Sequence, residues 1–88
     1  MFVIKWSNKN NVRTELLNII KSTIKTNNWK QAKAGNVLQL SQPKISLIKS
    51  LKVSEFSLEK ILVLLSRLKC EVKITVNRRE KFTGLQSG

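Results

Sequence analysis

The sequence predicts a mainly α domain of four helices closed by a C-terminal β-strand, and three observations carry that expectation. Apolar residues fall at Val12, Leu16, Ile19, Ile20 and Ile24, the three-to-four spacing of a helix face. A second run, Leu58, Ile61, Leu62, Leu65 and Leu68, follows Ser57. Val63 and Leu64 spread its apolar surface over more than half the helix circumference. At Cys70 the period changes to two: Cys70, Val72, Ile74 and Val76 alternate with Glu71, Lys73 and Thr75, as a strand requires.

The remaining elements follow in chain order. Met1–Trp6 alternates and reads as a short strand, and Ser7–Asn11 is a turn or linker. The first helix starts near Val12, with Asn10 or Asn11 as N-cap and Glu15 in a first turn where the helix dipole favours an anion. Thr26-Asn27-Asn28 ends it. A second helix is expected from about Trp29 to Leu38, with Trp29 packed on the first, and Gln39-Leu40 is a tight connection. Ser41 is the expected N-cap of a third helix. Pro43 is tolerated in its first turn, where a missing N–H would be unpaired anyway. Ile45 and Ile48 form a narrow apolar stripe on it, Leu51–Phe56 is a connector, and Ser57 caps the fourth helix. Residues 1–11 thus form an N-terminal segment, 12–77 the folded domain, and 78–88 a flexible basic tail.

Composition excludes several classes of function. With 88 residues the chain makes one domain with a thin core and little room for an enzyme pocket. The absence of His removes imidazole catalysis and every His-containing metal site. A single Cys, Cys70, makes neither an internal disulfide nor a multi-Cys metal site and reads as a small hydrophobe in a reducing cytoplasm. No catalytic residue, metal or cofactor is expected. The longest strictly apolar run, Ile61–Leu65, is far short of the ~20 residues of a membrane span, and Met1–Trp6 lacks the marks of a signal peptide.

Charge points to a polyanion. Lys plus Arg number 17 against 5 acids, for a net charge of +12. No acid lies between Leu16 and Ser54, a stretch holding Lys21, Lys25, Lys30, Lys33, Lys44, Lys49 and Lys52. Such a field is self-repelling unless nucleic acid meets it; a solvated lysine-rich surface and an anionic membrane are the alternatives. The middle of the chain has the physical requirements of a helix-turn-helix. Gly35 is small where two helices cross. Leu38, Leu40, Ile45 and Ile48 pin the crossing, and Gln42, Lys44, Ser46 and Lys49 give the second helix a polar face for a major groove. Gln42 is the best base reader, since Gln pairs bidentately with adenine.

The run Lys30-Gln31-Ala32-Lys33-Ala34-Gly35-Asn36-Val37-Leu38-Gln39-Leu40-Ser41-Gln42-Pro43-Lys44-Ile45-Ser46 resembles the Cro/repressor-like (XRE) helix-turn-helix family. Phe56-Ser57-Leu58-Glu59-Lys60-Ile61-Leu62 and the strand after it resemble the subgroup of HigA-type antitoxins. The resemblance implies a four-helix repressor-like fold and a sequence-specific repressor of double-stranded DNA that autoregulates a toxin–antitoxin operon, with a small ribonuclease-type toxin as partner. It implies phosphate contact at Gln31; beside its capping role Ser41 is a further candidate for phosphate contact, and Pro43 for apolar contact with a thymine methyl. The family's turn glycine is Gln39 here, so a less sharp turn is expected; the glycine after the third helix is Ser50. A stand-alone phage or plasmid repressor is the second expectation, and a basic protein neutralising an acidic partner the third. A homodimer is expected, built from Val63 and Leu64 outside the fourth helix's inner face and from Val72, Ile74 and Val76 pairing across a two-fold axis. The competing arrangement pairs that strand with Phe2–Trp6 of its own chain and leaves only the fourth helix for dimerisation.

Overall fold

The structure, a computed structural model, describes residues 1–76; Asn77 and the expected basic tail 78–88 lie outside the described residues. In chain order the elements are β1 (Phe2–Lys5), α1 (Lys9–Thr26), α2 (Gln31–Leu38), α3 (Gln42–Lys49), a 3₁₀ turn (Val53–Glu55), α4 (Leu58–Arg67) and β2 (Val72–Thr75). The four expected helices, the short N-terminal strand read from Met1–Trp6 and the C-terminal strand are all present.

α1 is the spine. It buries Val12, Leu16, Leu17, Ile20 and Ile24 against Ala34 and Leu38 of α2, Ile45 and Ile48 of α3, Phe56, and Ile61, Leu64 and Leu65 of α4. Trp29 is half-buried against this core, as expected. α1 begins three residues earlier than its apolar spacing suggests. Asn8, not Asn10 or Asn11, is the N-cap, and its Oδ1 accepts from the Asn11 N–H at 2.9 Å. Glu15 therefore lies beyond the first turn, which holds no acid. Three nearby asparagines cap equally well, and the end of β1 selects among them.

α4 corrects a second expectation. Its inner stripe is Ile61, Leu64 and Leu65, with Leu68 half-buried beside them, while Leu62 and Val63 are 41% and 43% exposed. Leu64 is fully buried in its own chain and does not belong to an outer face. Ile61–Leu65 is apolar at every position, so the spacing fits two helix registers, and packing on α1 and α2 chooses one.

β2 begins at Val72, two residues later than expected, because Cys70 still belongs to the end of α4: its N–H donates to the Leu65 carbonyl at 3.0 Å. The strand has a partner in its own chain. β1 pairs with it in parallel, in the register Phe2↔Val72 and Ile4↔Ile74. The Phe2 and Trp6 N–H groups donate to the Glu71 and Thr75 carbonyls at 2.8 and 2.6 Å. In a parallel ladder alternate residues face the partner, so the backbone groups of Val72 and Ile74 lie on the opposite edge. Parallel pairing is available because the helices lie between the two strands and supply the crossover.

All four helices end in a left-handed terminal motif, of the Schellman type after α1, α3 and α4, and none of the left-handed positions is a glycine. Asn28, Gln39, Leu51 and Lys69 have φ of 57°, 56°, 54° and 57°. In each motif the next residue's N–H reaches back five residues: Trp29 to Ile24, Leu40 to Gly35, Lys52 to Leu47 and Cys70 to Leu65. The turn at Gln39 is therefore sharp despite the missing glycine, and after α3 the left-handed residue is Leu51, not Ser50. Gly35 is used for close approach instead, since a Cβ there would lie 2.8 Å from the Leu40 carbonyl oxygen. Gln39→Gly is expected to stabilise the fold by about 1 kcal/mol, because a side chain in the left-handed region costs roughly that much. Thermal unfolding would then rise by roughly 4–8 °C; an unchanged or lower midpoint contradicts this.

Candidate nucleic-acid interface

α2 and α3 are joined by two intervening residues beyond the Gln39 turn, Leu40 and Ser41. α3 is held from behind by Ile45 and Ile48, both 0% exposed. Its other side carries Gln42, Pro43, Lys44, Ser46 and Lys49, all exposed, and Ser41 precedes them, also exposed. The exposed surface of α3 and its cap thus carries six of the seven candidate contact residues, with Lys44 on the flank toward Phe56. The seventh, Gln31, opens α2, and its Nε2 donates to Ser46 Oγ at 2.7 Å. That bond ties the start of α2 to the middle of α3 and gathers the polar groups into one patch. Ser50 Oγ donates to the Ser46 carbonyl at 3.0 Å, continuing the network along α3.

Two side chains differ from their expected local roles. Ser41 stands at the N-cap with extended backbone, but its hydroxyl makes no capping bond; its carbonyl accepts from Lys44 and Ile45 instead. The Lys44 Nζ lies 5.6 Å from the centre of the Phe56 ring. A cation–π contact at so exposed a site holds the ammonium by only ~0.5–1 kcal/mol, which an anion readily outcompetes.

Sequence reasoning missed the braces behind this patch. Arg67 of α4 donates Nη1–H to the Leu38 carbonyl at 2.8 Å, filling an acceptor that the end of α2 leaves open. Arg13 of α1 donates to the Phe56 carbonyl at 3.1 Å and to Asn10 Oδ1 at 2.6 Å, while its Nε is buried without a partner. A signal existed. The chain has four arginines, of which Arg13 and Arg67 fall within the lysine-rich folded part, and a planar fork of donors suits fixed carbonyls better than an ammonium does. Of the residues expected at a dimer interface, Val63 and Val76 are exposed, Val72 and Ile74 are half-buried, and Leu64 is enclosed.

A helix-turn-helix domain family matches residues 5–77. The chain belongs to this helix-turn-helix family. No curated protein and no solved structure matches it. The helix-turn-helix of the protein is α2, the Gln39 turn and α3, and membership of the family makes it a DNA-binding protein of the regulator type. The matched span takes in the four helices and β2, and only Lys5 of β1. Among the described residues no helix is long and apolar enough to cross a membrane.

Proposed function

We propose that this helix-turn-helix protein is a sequence-specific repressor that binds double-stranded DNA as a homodimer, with no catalytic role. The observation that carries the reading is the two-sidedness of α3: Ile45 and Ile48 fully buried, Gln42, Lys44, Ser46 and Lys49 exposed, and no acid on α2 or α3. Gln42 reads a base edge from the first turn of the helix, and Pro43 meets a thymine methyl. Lys44 leaves the Phe56 ring for a guanine or a phosphate. Gln31, Ser41 and Lys49 hold phosphates, and the Gln31–Ser46 bond fixes the register between α2 and the groove.

Two copies are needed to cover two half-sites about 34 Å apart. The free edge of β2, at Val72 and Ile74, is suited to antiparallel pairing with its own copy, with Val76 and Val63 alongside. The finer reading is the antitoxin of a toxin–antitoxin operon, autoregulating its genes in the cytoplasm and binding a small ribonuclease-type toxin through residues 1–11. It is supported by the Ser41-Gln42-Pro43 to Ser46 pattern and the helix-plus-strand that follows. The scarcity of acids favours a second reading, a stand-alone repressor, since a basic toxin is best met by an acidic surface.

The test is binding to a duplex that the protein selects from a random pool. With roughly 6–8 phosphate contacts in the dimer, log K against log salt should slope at about −5 to −7. Gln42→Ala should relax preference at one base position by ~1–3 kcal/mol, and Lys49→Ala should weaken all sequences alike. Equal protection of the selected site by wild type and a Gln42→Ala/Lys44→Ala variant overturns the assignment.

A further inference from the structure

We infer a second phosphate-binding cleft, built by Lys21, Lys25 and Lys49 around Trp29, which clamps the DNA backbone beside α3; this rests on the DNA-binding reading above. These residues, with Ile24 and Asn28, line an open depression of about 330 Å³ between the C-terminal ends of α1 and α3. Its walls supply three ammonium groups and no carboxylate. Ile24 and Trp29 belong to its apolar lining, and Trp29 is set in place by the turn in which Asn28 is left-handed and the Trp29 N–H meets the Ile24 carbonyl at 3.1 Å.

Local helix chemistry explains only part of the cluster. Lys25 and Lys49 lie in the last turns of α1 and α3, where the dipole favours a cation. Lys21 has no such reason, and it repels Lys25, four residues along the same helix. Nor does the dipole explain why two helices far apart in sequence aim their lysines at one depression. A polyanion does: phosphate oxygens neutralise all three ammonium groups at once, and the deoxyribose packs on the half-buried indole. DNA is favoured over a free anion by position. Lys49 is part of α3 itself, and Trp29 leads through Lys30 into Gln31, so the cleft continues the proposed interface along one backbone strand.

The experiment measures the full-length protein on the duplex it selects, across a salt series. Lys21→Gln/Lys25→Gln should make the slope of log K against log salt shallower by about 2 per bound protomer. Affinity at physiological salt should fall at least tenfold, with base preference unchanged. Lys25→Gln alone, at an exposed position, should give half the change in slope and guards against misfolding of the double variant. The control Lys9→Gln/Lys60→Gln removes the same charge elsewhere and should leave the slope within half a unit. If the cleft variants match wild type while Gln42→Ala still loses its base preference, the cleft is overturned and the DNA reading stands. An equal loss in the control pair overturns it too, leaving only a general field. Competition by millimolar inorganic phosphate at constant ionic strength overturns it in favour of a free-anion site. If wild type selects no duplex, both readings fall together.

Discussion

Ile45→Ala is expected to destabilise the domain by about 2–5 kcal/mol, the range for emptying a fully buried aliphatic site. Ile45 is 0% exposed, and α3 has one other fully buried anchor, Ile48. Its Cγ1 lies 4.0 Å from where a Cβ on Gly35 would stand, so it fills the space where α2 and α3 come closest. The backbone there is already in tight contact and cannot collapse inward to close the cavity. A chain of 88 residues has a total stability of only roughly 4–13 kcal/mol, so the loss is a large fraction of the whole. Urea unfolding followed by circular dichroism should show the midpoint lowered by about 2 M or more, taking a slope near 1 kcal/mol/M for so small a domain. Lys49→Ala, on the exposed side of the same helix, should move stability by under ~0.5 kcal/mol. If the two variants unfold at similar urea concentrations, the division of α3 into an inner and an outer face is wrong.

Val63→Asp/Val76→Asp is expected to leave the fold intact and to weaken operator binding at least 100-fold. The two side chains are 43% and 71% exposed, so a carboxylate at either position stays hydrated in the monomer. In the proposed dimer each meets its own copy or a near neighbour across a two-fold axis, and the new acids are desolvated beside one another. A monomer occupies one half-site and forfeits the second set of base and phosphate contacts; a 100-fold loss corresponds to about 2.7 kcal/mol. Sedimentation at tens of micromolar should give a dimer for wild type and a monomer for the variant, with the same urea midpoint. A dimeric variant with wild-type operator affinity removes Val63 and Val76 from the interface. A monomeric wild type removes the dimer altogether.

The four helices, the terminal strand and the polar face of α3 were all present in the sequence, because each is a local pattern. A 3.6-residue or two-residue period, or the polar residues that flank Ile45 and Ile48, needs no knowledge of distant neighbours. The candidate contacts were legible for the same reason, since Ser41 to Lys49 lie within one helix and its cap. Only the tertiary structure decided the rest. β1 and β2 lie at opposite ends of the described chain, and their pairing depends on where α1 and α4 carry them. The inner face of α4 was ambiguous because Ile61–Leu65 satisfies two registers, and contact with α1 and α2 broke the tie. Gln39 and Leu51 take left-handed conformations that their own propensities oppose, because closing α2 onto α3 and α3 onto the following turn outweighs a cost of roughly a kcal/mol each. The bonds from Arg13 and Arg67 to distant carbonyls, and the meeting of Lys21 and Lys25 with Lys49, join residues 24 or more apart in the chain. Such contacts follow from packing geometry, which one-dimensional spacing does not encode.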